Sequence, residues 1–150
     1  MTTSSDAAVP EVCRAGSDAE IRACFPAMKQ LRPHLELDGF VAQVRRQMAS
    51  HGYTLAFIAR EGEVVAAAGY RIAEYLAWGR TFYVDDLIAV AAARRHGFGG
   101  RLLDWLIAEA RASGCGQFHL DSGVQRHDAH RLYLGRKLVI SSHHFSMALS

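Results

Sequence analysis

The chain has 150 residues, half of them hydrophobic and 21% charged, and a formal net charge of +2. This composition is typical of a folded domain with a sizeable core and excludes a disordered chain. The mild positive charge gives no argument for nucleic-acid binding, and no apolar run is long enough to predict a membrane span. We therefore expect one domain over residues 1–150, with residues 1–9 disordered.

The cysteines predict a reducing environment. Cys13, Cys24 and Cys115 form neither a C-x-x-C pair nor an even set, so we expect free thiols and no disulfide. The N-terminus also lacks the basic region and apolar core of a signal peptide. From these features we expect a cytoplasmic protein.

The first half of the chain predicts two helices. Ser17-x-x-Glu20 is a capping box, and apolar residues then recur on one face, which predicts a helix from Asp18 to about Leu31. Asp38 is the predicted cap of a second helix that ends near His51-Gly52.

Strand patterns flank and follow these helices. Residues 11–15 predict a short first strand, and residues 53–60 and 64–73 predict an antiparallel hairpin that turns at Glu61-Gly62.

The most informative stretch is TFYVDDLIAVAAARRHGFGGRLL, residues 81–103. It predicts a strand, a glycine-rich turn and a helix over residues 97–113, whose first amides would form an anion site. Two alternatives remain: residues 87–96 could form a helix capped by Asp86, or the glycines could be a dinucleotide fingerprint. In the second case, Leu102 occupies the position of the third glycine of G-x-G-x-x-G, so the fingerprint is incomplete.

The last third of the chain predicts strand, helix and strand, at residues 117–120, 125–136 and 138–149. The strand at 117–120 would run parallel to the strand before the glycine turn.

Arg94-x-x-Gly97-x-Gly99, with Asp85-Asp86-Leu87 before it and Leu102-Leu103 after it, resembles the coenzyme A signature of GCN5-related N-acetyltransferases (GNAT). The order of predicted elements is similar to that family along nearly the whole chain. The resemblance implies an α/β (α+β) acyl-CoA N-acyltransferase fold. Its mixed sheet would have six to seven strands with a split between the central ones, and about four helices would accompany it.

The resemblance also implies an acetyl-CoA site. The pyrophosphate would bind the amides of the glycine turn, and the pantetheine arm would pair with the strand that follows the acidic pair. The implied cofactor-binding residues are Leu87, Ile88, Ala89, Val90, Arg94, Arg95, His96, Gly97, Phe98, Gly99, Gly100 and Arg101.

Two residues are candidates for catalysis. Tyr133, in Ala129-x-x-Leu132-Tyr133, matches the family's general acid for the leaving thiolate, although a core aromatic would show the same spacing. Asp85 matches an acidic position that binds or deprotonates the acceptor amine, with Glu74 as second choice. Strand alternation predicts that Asp85 and Asp86 face opposite sides of the sheet.

The histidines at positions 127, 130, 143 and 144 do not have the spacing of a metal site, so we expect no metal. His143 and His144 remain minor candidates for a base.

The sequence thus predicts direct acetyl transfer to a primary amine of a small molecule or peptide. The alternatives are a non-catalytic acyl-CoA-binding module and an interaction protein whose glycines only cap helices. The acceptor would lie between the first two helices and the region above Asp85, and a homodimer could complete the last strand. Candidate walls of the acceptor site are Phe25, His34, Tyr53, Tyr75 and Trp78.

Overall fold

The computed structural model describes residues 10–150. The prediction of disorder for residues 1–9 lies outside the described residues. The chain forms two compact units, one ending at His119 and one running from Leu120 to Ser150. The expectation of a single domain stays a prediction.

The first unit contains nearly all of a five-stranded sheet, in which the strands follow one another in chain order. β1 pairs with β2, β2 with β3 and β3 with β4, all antiparallel. The strands are β1 (Val12–Arg14), β2 (Thr54–Arg60), β3 (Glu63–Tyr75), β4 (Gly79–Ala89) and β5 (Gln117–Leu120).

The strand prediction for the acidic stretch is confirmed. β4 continues to Ala89, and only one short 3-10 turn, Ala91–Ala93, precedes the glycines. The alternative helix over residues 87–96 is therefore wrong. The hairpin is also confirmed, because Glu61 and Gly62 both have positive φ, at 53° and 81°, as a tight two-residue turn requires.

Five α-helices occur in the described part of the chain, the last of them in the second unit. They are α1 (Asp18–Ala23), α2 (Phe25–Leu31), α3 (Phe40–His51), α4 (Phe98–Ala112) and α5 (His127–Gly135).

The first predicted helix is two helices. Pro26 lies in the first turn of α2 and has no amide hydrogen, so the helical bonding pattern breaks at Cys24. The capping box at Ser17 and Glu20 is confirmed. α3 is capped by Gly39, one residue after the predicted Asp38, and ends at Gly52 with φ of 65°, as predicted.

Helices α1, α2 and α3 pack on one face of the sheet, where Ile21, Phe40 and Leu55 belong to one buried cluster. On the other face, Trp105 of α4 contacts Tyr70 of β3 edge to face, with ring centroids 6.3 Å apart. Leu102, Leu103 and Leu106 of α4 are fully buried, and burial of each contributes about 1.5–3 kcal/mol.

The predicted six to seven strands are wrong for the described residues, because residues 138–150 form no strand. Large apolar side chains of this segment are exposed: Val139, Ile140, Phe145, Met147 and Leu149. The predicted split stays a prediction. The Gly116 amide donates to the Arg80 carbonyl (2.9 Å), which fixes the start of β5 beside the start of β4.

Within residues 10–150, no helix is both long enough and apolar enough to cross a membrane.

Candidate active site

Strand β4 contains an extra residue at Asp85. Gly69 of β3 lies opposite Asp86, and Tyr70 lies opposite Val84, so no residue of β3 lies opposite Asp85. Such a β-bulge reverses the alternation of side chains beyond it. Asp85 and Asp86 consequently line the same cavity. The prediction that they face opposite sides of the sheet is wrong.

The carboxylate of Asp85 is held by Arg71 of β3. Arg71 donates from Nε to Oδ1 (3.2 Å) and from Nη2 to Oδ2 (2.7 Å). This two-point, charge-assisted contact is the strongest kind of ion pair, and hydrogen bonding to Asp85 raises the pKa of Arg71. Both oxygens of Asp85 are engaged, so the group is positioned as a fixed negative charge.

The carboxylate of Asp86 has a different pair of partners. Arg32 at the end of α2 donates from Nε to Oδ1 (3.1 Å), and the Tyr53 hydroxyl donates to Oδ2 (2.8 Å). Arg32 Nη2 also donates to the backbone carbonyl of Asp85 (3.0 Å). Burial and the nearby negative charge of Asp86 raise the pKa of Tyr53 well above its usual value. Tyr53 therefore remains a hydrogen-bond donor at neutral pH.

The position of Tyr53 depends on a glycine. A Cβ on Gly69 would overlap with the hydroxyl and the ring of Tyr53. The absence of a side chain at Gly69 thus lets the phenol cross β3 and reach Asp86 on β4.

These groups border a cavity of about 290 Å³ between α2, α3 and β4. Of the predicted acceptor walls, His34 and Tyr53 line it, whereas Phe25, Tyr75 and Trp78 do not. Trp78 lies in the β3–β4 turn and stacks on His119, with centroids 3.9 Å apart. The lining residues are Met28, Arg32, His34, Leu35, Phe40, Gln43, Val44, Gln47, Tyr53, Asp85 and Asp86.

The glycine turn lies between the 3-10 turn and α4. Gly97 caps α4 in the left-handed conformation (φ 76°), and a Cβ there would meet nothing within 4 Å. Arg95 also has φ of 76°, an unusual conformation for a non-glycine residue. The residues on both sides of His96 thus have left-handed backbone, and the space in front of Gly97 is open.

Four amides at the start of α4 have no hydrogen-bond partner in the described part of the chain. The first backbone bond of α4 is from Arg101 to the Gly97 carbonyl (3.0 Å). Among the described residues, none accepts a hydrogen bond from the amides of Gly97, Phe98, Gly99 or Gly100. Such amides at a helix N-terminus carry partial positive charge and bind anions, phosphate above all.

Comparison with known proteins decides the family. The model of the acetyltransferase (GNAT) family matches residues 19–136. The chain belongs to the GNAT family. This confirms the resemblance carried by the glycine signature, and it assigns an N-acetyltransferase as the enzyme class.

Two relatives of this GNAT protein are named acetyltransferases. The uncharacterised N-acetyltransferase YhdJ of Bacillus subtilis is 30% identical over 78% of this chain and 82% of its own length. The aminoalkylphosphonate N-acetyltransferase of Salmonella typhimurium is 31% identical over 75% of this chain and 71% of its own length.

Solved structures share the GNAT fold. A protein described as a transcriptional regulator from Bacillus halodurans superposes with a TM-score of 0.81, at 20% identity, over 94% of this chain and 100% of its own. AAC(6')-Iy in complex with a bisubstrate analogue has a TM-score of 0.80, at 11% identity, over 95% and 99% of the two chains. At these identities the similarity establishes the fold and no more.

The predicted acid, Tyr133, lies on α5 of the second unit and is buried. Burial raises its pKa, and the nearby Arg126 acts in the opposite direction. The phenol is therefore protonated at neutral pH, as a proton donor must be. Its role in this GNAT protein stays a prediction.

The remaining predicted candidates, Glu74 and the histidine pair near the C-terminus, do not line the cavity between α2, α3 and β4, and neither do the cysteines. Glu74 lies opposite Arg80 near the end of β3. His144 contacts Asp121 (3.5 Å) within the second unit. All three cysteines are free, and burial raises the pKa of the Cys24 thiol to about 12. No group of three metal-ligating side chains occurs within residues 10–150.

Arg32 and Arg71 of this GNAT protein belong to the site, although no sequence pattern predicted them. Arg32 is separated from Asp86 by 54 positions, so no local pattern connects them. Arg71 follows the uncharged stretch VVAAAGY on β3, and a charged residue there is the one signal that could have identified it.

Proposed function

We propose that this chain transfers an acetyl group from acetyl-CoA directly to a primary amine of a small molecule or peptide. The observation that carries the proposal is the set of partnerless amides from Gly97 to Gly100 at the start of a 15-residue helix. They have the geometry and polarity to bind a pyrophosphate. Two relatives named N-acetyltransferases support the same reaction class.

The turn would bind the donor in three ways. The amides of Gly97 to Gly100 would donate to phosphate oxygens, and Arg94, Arg95, His96 and Arg101 would surround the site with donor groups and positive charge. Residues Leu87 to Val90, at the end of β4, would hold the pantetheine arm. Acetyl-CoA supplies the activated acyl group, and the protein supplies position and charge.

The chemical step needs an acid and a bound amine. The acceptor first loses a proton to water, and its neutral nitrogen then forms a bond to the acetyl carbonyl carbon as the carbon–sulfur bond breaks. The nitrogen releases its second proton to water, and the sulfur takes a proton from an acid that solvent protonates again. We assign the proton donor to Tyr133, whose raised pKa keeps it protonated. We assign acceptor binding to Asp85, whose charge is fixed by Arg71.

The test is binding and turnover in parallel. Saturating coenzyme A, at 100 times its dissociation constant, would add about 2.7 kcal/mol to the free energy of unfolding. Thiol release from acetyl-CoA in the presence of amines would measure turnover. Failure of coenzyme A to raise the melting temperature would instead favour an interaction protein.

A matched pair of variants shows whether a loss of coenzyme A affinity comes from the glycine turn itself or from backbone strain anywhere in the chain. Gly97→Ala should weaken coenzyme A binding at least tenfold, because Ala opposes the left-handed conformation that shapes the turn. Gly62→Ala imposes similar strain, at φ of 81°, in the β2–β3 turn and should leave coenzyme A affinity unchanged. Equal losses of affinity in both variants would contradict the assignment.

We also propose a cytoplasmic location, supported by the three free thiols.

A homodimer is a further proposal. The exposed apolar side chains at positions 145, 147 and 149 alternate with small residues, as in a strand that packs by one face.

A further inference from the structure

We propose that the acceptor is a small zwitterionic amine, and that Arg32 binds its acid group in the cavity between α2, α3 and β4. The inference rests on the proposed function and names the class of acceptor. The acid group is a carboxylate or a phosphonate, since the anionic oxygens of both accept charge-assisted hydrogen bonds from a guanidinium nitrogen.

The charges of the cavity support this assignment. Its lining includes the guanidinium of Arg32 and the carboxylates of Asp85 and Asp86, together with the polar side chains of His34, Gln43 and Gln47. Each carboxylate already has an arginine partner, Arg71 for Asp85 and Arg32 for Asp86. The two arginines balance the two carboxylates, so the group has no net negative charge that would attract a polycationic acceptor. The cavity therefore favours a molecule that carries no large excess of positive charge.

Arg32 keeps donor capacity for a ligand. Its Nε and Nη2 bond to Asp86 and to the Asp85 carbonyl, whereas Nη1 has no hydrogen-bond partner among the described residues. The side chain is 44% exposed, so the guanidinium is accessible. The two bonds to β4 fix its plane before a ligand arrives, which reduces the entropy cost of binding.

The carboxylates keep a place for the amine. Asp85 and Asp86 are side by side because of the bulge, and each carboxylate oxygen can accept a further bond besides its present one. Because Arg32 contacts Asp85 directly, an acceptor only a few atoms long could place its acid group at Arg32 and its amine at Asp85. The volume of about 290 Å³ is at the low end for ligand cavities and suits a molecule of this size.

The experiment compares amines that share a three-carbon chain. β-Alanine, 3-amino-1-propanol and 1,3-diaminopropane differ in the far group, which is an acid, a neutral hydroxyl or a second ammonium. 2-Aminoethylphosphonate replaces the carboxylate with a phosphonate and distinguishes the two acids. With acetyl-CoA fixed, kcat/KM for thiol release should be at least tenfold higher for an acid-bearing amine than for the alcohol or the diamine.

Variants of Arg32 test whether the preference for acid-bearing amines comes from this residue. Arg32→Gln should lower kcat/KM for the acid-bearing amines about 10- to 100-fold, mainly through KM, and should leave the alcohol within threefold. Arg32→Lys should restore part of the loss. Arg46→Gln, an exposed arginine on α3, is the control and should change neither class of amine.

Each outcome decides a different point. Turnover with a preference for the diamine or the alcohol, or an equal loss for all amines in Arg32→Gln, would overturn the zwitterion proposal and leave the acetyltransferase proposal intact. Coenzyme A binding without turnover of any amine would overturn both.

Discussion

The hydroxyl of Tyr53 crosses β3 at Gly69 and donates to Asp86 on β4. Gly69→Ala should therefore displace the Tyr53 ring, because the new Cβ would overlap with it. We expect a loss of about 1–3 kcal/mol in the free energy of unfolding from overpacking, measured by urea denaturation. Gly116→Ala is the control, since a Cβ there meets nothing within 4 Å. Similar losses in both variants would contradict the packing argument.

The raised pKa of Tyr53 predicts that the free energy of unfolding falls with rising pH in the alkaline range. Its pKa is raised in the folded chain, so its contribution is complete below the unfolded value of about 10 and is lost as pH rises above it. In that range the free energy of unfolding should fall by up to about 1.4 kcal/mol per pH unit from this group alone.

Tyr53→Phe tests this linkage. The variant should be less stable at pH 7, by about 1–3 kcal/mol, because Asp86 loses a donor. The difference in stability from the wild type should shrink as pH rises above 10. Urea titrations of both proteins at pH 7 to 11 measure it, and a difference that stays constant with pH would refute the linkage.

The charges beside the glycine turn predict a salt effect. Arg94→Gln should weaken coenzyme A binding several-fold at low salt, and less at 0.5 M salt, where the Debye length is only a few ångströms. Arg111→Gln is the control, because it removes the same charge in the last turn of α4, away from the glycine turn, and should leave coenzyme A affinity unchanged. Calorimetric titrations at two salt concentrations compare the variants, and equal effects would remove Arg94 from the site.

The assignment of Tyr133 predicts a kinetic effect without a binding effect. Tyr133→Phe should lower kcat by about 100-fold or more, with coenzyme A affinity unchanged, because the leaving sulfur loses its proton donor. The wild-type pH profile should show no decline in kcat from this group near neutral pH, since its pKa is raised. An unchanged kcat in the variant would remove Tyr133 from the chemistry.

The exposed C-terminal segment predicts self-association. If a second copy covers residues 138–149, sedimentation should give a dimer, and Phe145→Ser with Met147→Ser should shift it toward monomer. A wild-type monomer at micromolar concentration would exclude this arrangement.

The sequence predicted those parts of the fold that depend on local chemistry. The capping box at Ser17, the turn at Gly62 and the helix that begins after Gly97 each follow from side chains within a few positions. Pro26 could have predicted the break at Cys24 by the same reasoning. The apolar alternation of the last segment predicted a strand, but pairing depends on a partner that the segment itself does not specify.

The arrangement of the cavity depends on longer-range contacts. The extra residue at Asp85 becomes visible only when β3 and β4 are placed in register, because nothing in the letters of β4 distinguishes it. The partners Arg32 and Arg71 come from an earlier helix and the neighbouring strand, and the tertiary structure alone brings them to the two carboxylates.

The bulge divides β4 into two half-strands of opposite phase. Before Asp85, the even-numbered Phe82 lies on the α4 face, where it stacks on Tyr70. After it, the even-numbered Ile88 lies in the buried cluster with residues of α1 to α3. Deleting one residue here would rotate every later side chain to the far side and exchange Ile88 with Leu87. An alignment of distant relatives that misses this single insertion would assign the wrong half of the strand to the substrate.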